Sequence, residues 1–196
     1  MADPVSIVAV SGSLHAPSKT TALAHELLER FADALRAEGA EVDTDLIELS
    51  RVGRDFAGAL TRADLGPAAE ATLGRIESAS LLVVAGPVYR ASFTGLFKHV
   101  FDFVGQYSLV DTPVQLAATG GSDRHALIIE HQFRPLFSFF QAITLPIGVY
   151  ASDADFADAR ISSPALRDRI GQAVQRGVPI VRGTFSEPVS EYVSTW

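Results

Sequence analysis

The chain has 196 residues, 16 of them Lys or Arg and 23 Asp or Glu, for a formal net charge of −7. That length suits one domain, and 47% hydrophobic residues support a substantial core, so global disorder is excluded. The acidic balance argues against a nucleic-acid partner, and the absence of cysteine excludes disulfides, thiolate nucleophiles and Cys-ligated metals.

The opening segment MADPVSIVAV has no basic residue ahead of its apolar stretch, so it does not read as a secretion signal. No run approaches the ~18 apolar residues of a membrane span. The expectation is a soluble, cytoplasmic protein with no membrane partner. Val5–Val10 is rich in β-branched residues and ends in Ser11-Gly12-Ser13, which predicts a buried strand and a turn. Pro17-Ser18 offers a helix start, with Ser18 or Thr20 as N-cap. Leu23, Leu27, Phe31 and Leu35 then recur at steps of four until Gly39 stops the helix.

Val42–Leu49 reads as a second strand, poorer in apolar residues and so nearer a sheet edge. Residues 50–66, with Gly53, Gly58, Gly66 and mixed charges, read as a long loop before a short helix from Pro67 to about Ser80. Leu81–Ala85 is a wholly apolar strand closed by Gly86-Pro87. A helix over about Thr94–Val104, a strand at Val114–Ala118 and a helix over 123–140 follow. Ile143–Val149 is the fifth strand, placed at an edge because Pro146 removes a ladder donor. The last helix spans Pro164–Gly177, leaving 1–178 as the domain and 179–196 as a tail without clear period. Five alternations of strand and helix predict an α/β domain, a parallel sheet covered by helices on both faces.

Ligands of such sheets bind beyond the carboxyl ends of the strands. The first end, Ser11 to Thr21, places hydroxyls and backbone N–H groups before a helix N-terminus, a natural phosphate cradle. A dinucleotide fingerprint fails there because only Gly12 is present. A Walker A loop fails too, since Ser18 stands where a glycine must precede Lys19-Thr20. A flavin-phosphate loop and an ordinary capped β–α turn remain open. At the second end, Pro87 holds the backbone extended, so that residues around Tyr89 and Arg90 can present N–H and C=O groups to a planar heterocycle. At the third, Thr119-Gly120-Gly121 lets another backbone segment approach closely. Each is a plain turn taken singly; three on one sheet edge are harder to dismiss.

These residues resemble those of the flavodoxin-like NAD(P)H-dependent FMN reductases that serve two-component sulfonate monooxygenases, the methanesulfonate branch most of all. The matching pieces are Gly12-Ser13 with Pro17-Ser18, Pro87-Val88-Tyr89-Arg90 continuing through Thr94-Gly95 to Lys98, and Ala118-Thr119-Gly120-Gly121. The likeness runs from about residue 5 to 175. It implies a flavodoxin-like sheet of order 2-1-3-4-5, with FMN and either NADH or NADPH as cofactors. It places Ser11, Ser13, Ser18, Thr20 and Thr21 around the FMN phosphate, with His15 where related reductases often carry arginine. It places Pro87, Val88, Tyr89, Arg90, Thr119, Gly120 and Gly121 around the flavin ring, and names no catalytic residue. It also implies a transient flavin-dependent monooxygenase partner and a homodimer or homotetramer. A further family feature is an inserted residue that makes a π-bulge where chains meet. His131 falls at that position, and Pro135 independently demands a break in the helical ladder.

The enzymatic alternative is an FMN-bound quinone or azo reductase; the non-enzymatic one is a flavodoxin-type electron carrier. The five histidines, His15, His25, His99, His125 and His131, have no metal-site spacing. Asp153, Asp155 and Asp158 could hold a cation but are most simply a solvated loop. Leu96, Phe97, Val100, Phe101, Phe103 and Val104 cover most of one helix circumference, and Leu127 to Phe140 repeat the pattern. Helices apolar all round are buried on several sides, which predicts a subunit interface.

Overall fold

The computed structural model describes residues 4–186. In chain order it contains β1 (Val5–Ser11), α1 (Lys19–Ala37), β2 (Val42–Glu48), α2 (Leu49–Val52), α3 (Pro67–Glu77), β3 (Leu81–Pro87) and α4 (Gly95–Asp102). There follow β4 (Pro113–Gly120), α5 (Arg134–Phe139), β5 (Ile143–Thr144), β6 (Val149–Ser152), β7 (Phe156–Ala157), β8 (Arg160–Ile161) and α6 (Pro164–Ser186). The strands pair in parallel in the order β2-β1-β3-β4-β5, as expected, with β6 also on β4. The small β7–β8 ribbon is antiparallel.

Alternation along each strand divides the core. Ile7, Ala9, Leu81, Val83 and Ala85 meet α1 and α6 on one face. Val8, Val10, Leu82, Val84, Val114 and Leu116 meet α3, α4 and α5 on the other. Both faces are covered, which is why the central strands tolerate no polar alternation.

The fifth strand is edge-placed but split, with Pro146 in the gap between β5 and β6. Gln115, fully buried in β4, bridges that gap: its Nε2 donates to the carbonyls of Ile147 and Leu116, both at 2.9 Å. The predicted loop 50–66 instead carries α2 and 3₁₀ turns at Gly53–Phe56 and Arg62–Asp64. The predicted helix 123–140 is broken into a 3₁₀ turn at Asp123–His125, a π-helix at Ile129–Phe133 and α5. The last helix does not stop at Gly177 but continues through Pro179 to Ser186. Val178 and Val181 extend the buried stripe of Leu166, Ile170 and Val174. Their burial outweighs the one hydrogen bond that Pro179 removes. The rest of the predicted tail, 187–196, lies outside the described residues.

The Phe-rich helices are packed mostly within the chain. The Phe97 and Phe101 rings meet at a tilt, 4.7 Å between centroids, and Phe101 meets Phe137 edge-on at 5.1 Å. Phe56, in a 3₁₀ turn of the former loop, covers Phe103 from the far side. Only Leu127 and Phe139, 64% and 60% exposed, are left widely open. Part of the apolar circumference is therefore covered within the chain, by a 3₁₀ turn in the segment predicted as a loop.

Arg62 fastens that same segment to α3 and to the turn after α4. Its guanidinium reaches Glu77 at 2.6 Å, Glu70 at 3.0 Å and the Phe103 carbonyl at 3.2 Å. Burial pushes the Glu77 carboxyl up, but hydrogen bonds from Arg62 and the Gly105 N–H outweigh it and leave the group below its ordinary 4.5. A lowered carboxyl contributes stability above its unfolded value and loses it as pH falls through the folded one. Arg62→Ala is expected to lower unfolding free energy at pH 7 by about 1–2 kcal/mol, since Arg62 is more than a third exposed. In urea melts at successive pH values, the gap to the parent protein should close below about pH 4. A constant gap from pH 7 to pH 3 would assign the loss to packing alone. Among the described residues no helix is long and apolar enough to cross a membrane.

Candidate functional site

The sheet register brings three strand ends level: Ser11 beside Ala85, Pro87 beside Thr119, and Gly120 beside Ser152. The loops leaving them enclose a cavity of about 320 Å³. The first loop contributes Ser13, His15, Ser18 and Thr20; the second Pro87 and Val88; the third Thr119, Gly120 and Gly121. Most residues singled out from the sequence thus meet in one place.

Four do not. Ser11 is fully buried, with Oγ 2.8 Å from Thr21 Oγ1, pinning the end of β1 to α1. Thr21 lines a separate cavity of about 430 Å³ beside His25 and Arg160. Tyr89 and Arg90 are exposed and stand outside the 320 Å³ cavity. Tyr89 exchanges both backbone hydrogen bonds with Ser92, at 2.8 and 3.0 Å, around a turn whose Arg90 and Ala91 have φ of +50° and +67°. The Val88 N–H is likewise taken by the Thr119 carbonyl at 2.8 Å. These N–H groups were expected to face a heterocycle; they hold the second loop to itself and to β4.

The hydroxyls of the first loop are also partly committed. Ser13 Oγ donates to the His15 carbonyl at 3.0 Å, so its proton shapes the loop. Ser18 is the N-cap of α1, its Oγ accepting from the Thr21 N–H at 3.2 Å, which leaves its own proton available. Thr20 Oγ1 and Thr119 Oγ1 share a buried 2.6 Å bond joining the first and third loops; one of their two protons remains. Beside them the Lys19 and Thr20 N–H groups begin α1 and have no intrahelical carbonyl to meet. Two aligned N–H groups, two hydroxyl protons and the positive end of a helix of nineteen residues form an anion cradle.

Gly120 has a different use from the one expected. The space a β-carbon would need there is filled by the Tyr150 hydroxyl, which donates to the Ser122 carbonyl at 2.6 Å. Burial, then the charges of Asp123 and Asp153, hold the Tyr150 phenol above its usual value, so it stays protonated as that donor.

Two charged side chains at the cavity were missed. The sequence presents Lys19 only beside a failed Walker A pattern, and Asp153 as one of three aspartates that could hold a cation or form a solvated loop. Lys19 Nζ donates to Asp153 Oδ1 at 2.8 Å, joining α1 to the end of β6. The position of Asp153 just past a strand end was the available signal.

The Arg134 N–H donates to the Ile129 carbonyl, five residues back, closing the π-turn that holds His131. Phe133 from this turn sits 5.4 Å from both Phe93 and Phe97, and Gln132 Oε1 accepts from Ser92 Oγ at 3.0 Å. His131, Gln132, His125 and Arg124 line a smaller cavity of about 160 Å³. Val88 borders both cavities, so the π-turn lies against the wall of the larger one.

A doubly covered parallel sheet of this order, with a cradle over its carboxyl edge, defines the flavodoxin-like class. Among solved structures, the fold resembles an oxidoreductase from Corynebacterium diphtheriae at a TM-score of 0.83 and 32% identity, over 92% of this chain and 98% of that one. The model of the NADPH-dependent FMN reductases matches residues 5–157, and the chain belongs to that family of oxidoreductases. It is 53% identical to the NADH-dependent FMN reductase SfnE of Pseudomonas putida, over 92% of this chain and 94% of the relative. It is 50% identical to the NADH-dependent FMN reductase SfnF of Pseudomonas fluorescens, over 96% and 98%.

Proposed function

We propose that this chain reduces free FMN with NADH or NADPH and releases the product to a flavin-dependent sulfonate monooxygenase. The observation that carries the flavin site is the cradle at the α1 N-terminus, whose donor set suits a phosphomonoester. Ser18, Thr20 and the first-turn N–H groups hold the phosphate, with His15 at its side. Pro87, Val88, Thr119, Gly120 and Gly121 border the space for the ring. Bound flavin supplies the hydride acceptor, so the chain needs no acid or base of its own. The residues bordering the cavity would hold and orient the ring.

By the family resemblance His15 stands where related reductases often carry arginine, and it would hold a phosphate less firmly, which suits a flavin that comes and goes. The monooxygenase partner and the cytoplasmic location rest on the family resemblance. A dimer or tetramer has, besides that, the exposed Leu127 and Phe139 in its favour.

Ser18→Asp tests the phosphate placement, because aspartate also caps helices and the start of α1 is retained. Its carboxylate would oppose a phosphate at close range, and FMN affinity is expected to fall about tenfold or more. Riboflavin, which lacks the phosphate, should bind as before in the same fluorescence titration. Equal losses for both ligands would move the phosphate elsewhere. NADH oxidation measured with and without added FMN then separates a reductase of free flavin from one that retains it.

A further inference from the structure

Asp153 Oδ1 accepts from Lys19 Nζ at 2.8 Å, and its Oδ2 lies 4.0 Å from where a β-carbon on Gly121 would stand. The carboxylate therefore spans the mouth of the cavity, between the first turn of α1 and the loop after β4. Among the described lining residues Lys19 is the only permanent cation and Asp153 the only permanent anion. Their charges cancel, leaving the cradle's N–H groups and hydroxyls without a free positive side chain. A phosphate entering there meets two consequences. Lys19 must exchange its carboxylate partner for the phosphate, and the carboxylate left behind is a like charge at the same mouth. The exchange is open to solvent, since the two side chains are 37% and 63% exposed.

We infer that Asp153 is a specificity-determining residue that keeps FMN exchangeable, by competing with the flavin phosphate for Lys19 and repelling it. This rests on the phosphate placement proposed above. A reductase that exports its flavin needs such a counterweight, whereas a carrier that keeps its flavin does not. The turn that carries Asp153 is closed without its carboxylate. The capping box of the turn after β6 is made by Ser152 and Asp155, with Asp155 Oδ2 accepting from the Ser152 N–H at 2.8 Å.

The experiment titrates FMN and riboflavin against the parent protein, Asp153→Asn, Lys19→Met and the double variant, and times FMN release by dilution. Asp153→Asn is expected to tighten FMN by about three- to tenfold and to slow its release, with riboflavin unchanged. Lys19→Met should weaken FMN, and by a larger factor in the Asp153→Asn background, where Lys19 has no competing partner. If the parent protein prefers FMN over riboflavin but Asp153→Asn leaves that preference unchanged or reduces it, Asp153 merely holds Lys19 in place and the inference is overturned. If the parent protein binds both flavins equally, the phosphate placement falls, and this inference with it.

Discussion

Gly86→Val is expected to abolish soluble folded protein, and Gly86→Ala to cost about 2–3 kcal/mol of stability. A β-carbon at Gly86 would stand 2.6 Å from Cζ and 3.2 Å from Cε1 of Phe133. Phe133 is fully buried and held by Phe93 and Phe97, so its ring has nowhere to recoil. Gly86 itself is fixed in β3 beside Ala118. The strain would pass to the π-turn on one side or to the Val88 wall on the other. Against a typical total of about 5–15 kcal/mol, the extra methyl groups of valine exceed what the domain can spare. The measurement is a urea melt of Gly86→Ala with and without Phe133→Leu. If the close approach is the cause, the double variant loses clearly less than the sum of the singles. Simple additivity would place the cost in the strand backbone instead.

The strand ends could be read from the sequence because buried parallel strands are continuous apolar runs, and Ser11, Gly86 and Thr119 each stand where one stops. That was enough to gather three loops on one edge and to find the cavity. Which polar atoms stay free was not legible. Ser13 and Tyr89 lose theirs to partners two or three residues away, and that depends on dihedral angles such as the positive φ of Arg90 and Ala91. Asp153 and Lys19 are far apart in sequence and meet only because β6 ends beside α1. The break at His131 was legible because Pro135 cannot donate, a constraint carried by one residue type. The covering of the Phe-rich helices was not, since it comes from Phe56 in a segment whose glycines and charges mimic a loop.

Deleting His131 is expected to leave the fold standing while lowering turnover with free FMN by about tenfold and tightening FMN binding. The π-turn accommodates one residue more than an α-turn does, as the Arg134-to-Ile129 bond shows. Without His131 the Ile129 and Phe133 positions move from four apart to three apart, and on a regular helix both spacings keep them on one face. Their buried places, and the Arg134 bond to Thr144 Oγ1 at 2.8 Å, can then be retained. The residues between them cannot keep theirs. Gln132 turns away from Ser92 Oγ, releasing the second loop, and the 160 Å³ space bordered by His131, Gln132 and Val88 closes. Val88 borders both that space and the proposed ring site, so its closure is expected to slow flavin exchange more than hydride transfer. The checks are thermal melting, FMN titration, and single-turnover reduction of pre-bound FMN beside steady-state turnover. A single-turnover rate near that of the parent protein with a depressed steady-state rate would support the exchange role. Equal loss in both would assign the π-turn to the reduction step, and no change in either would make His131 an ordinary helix residue.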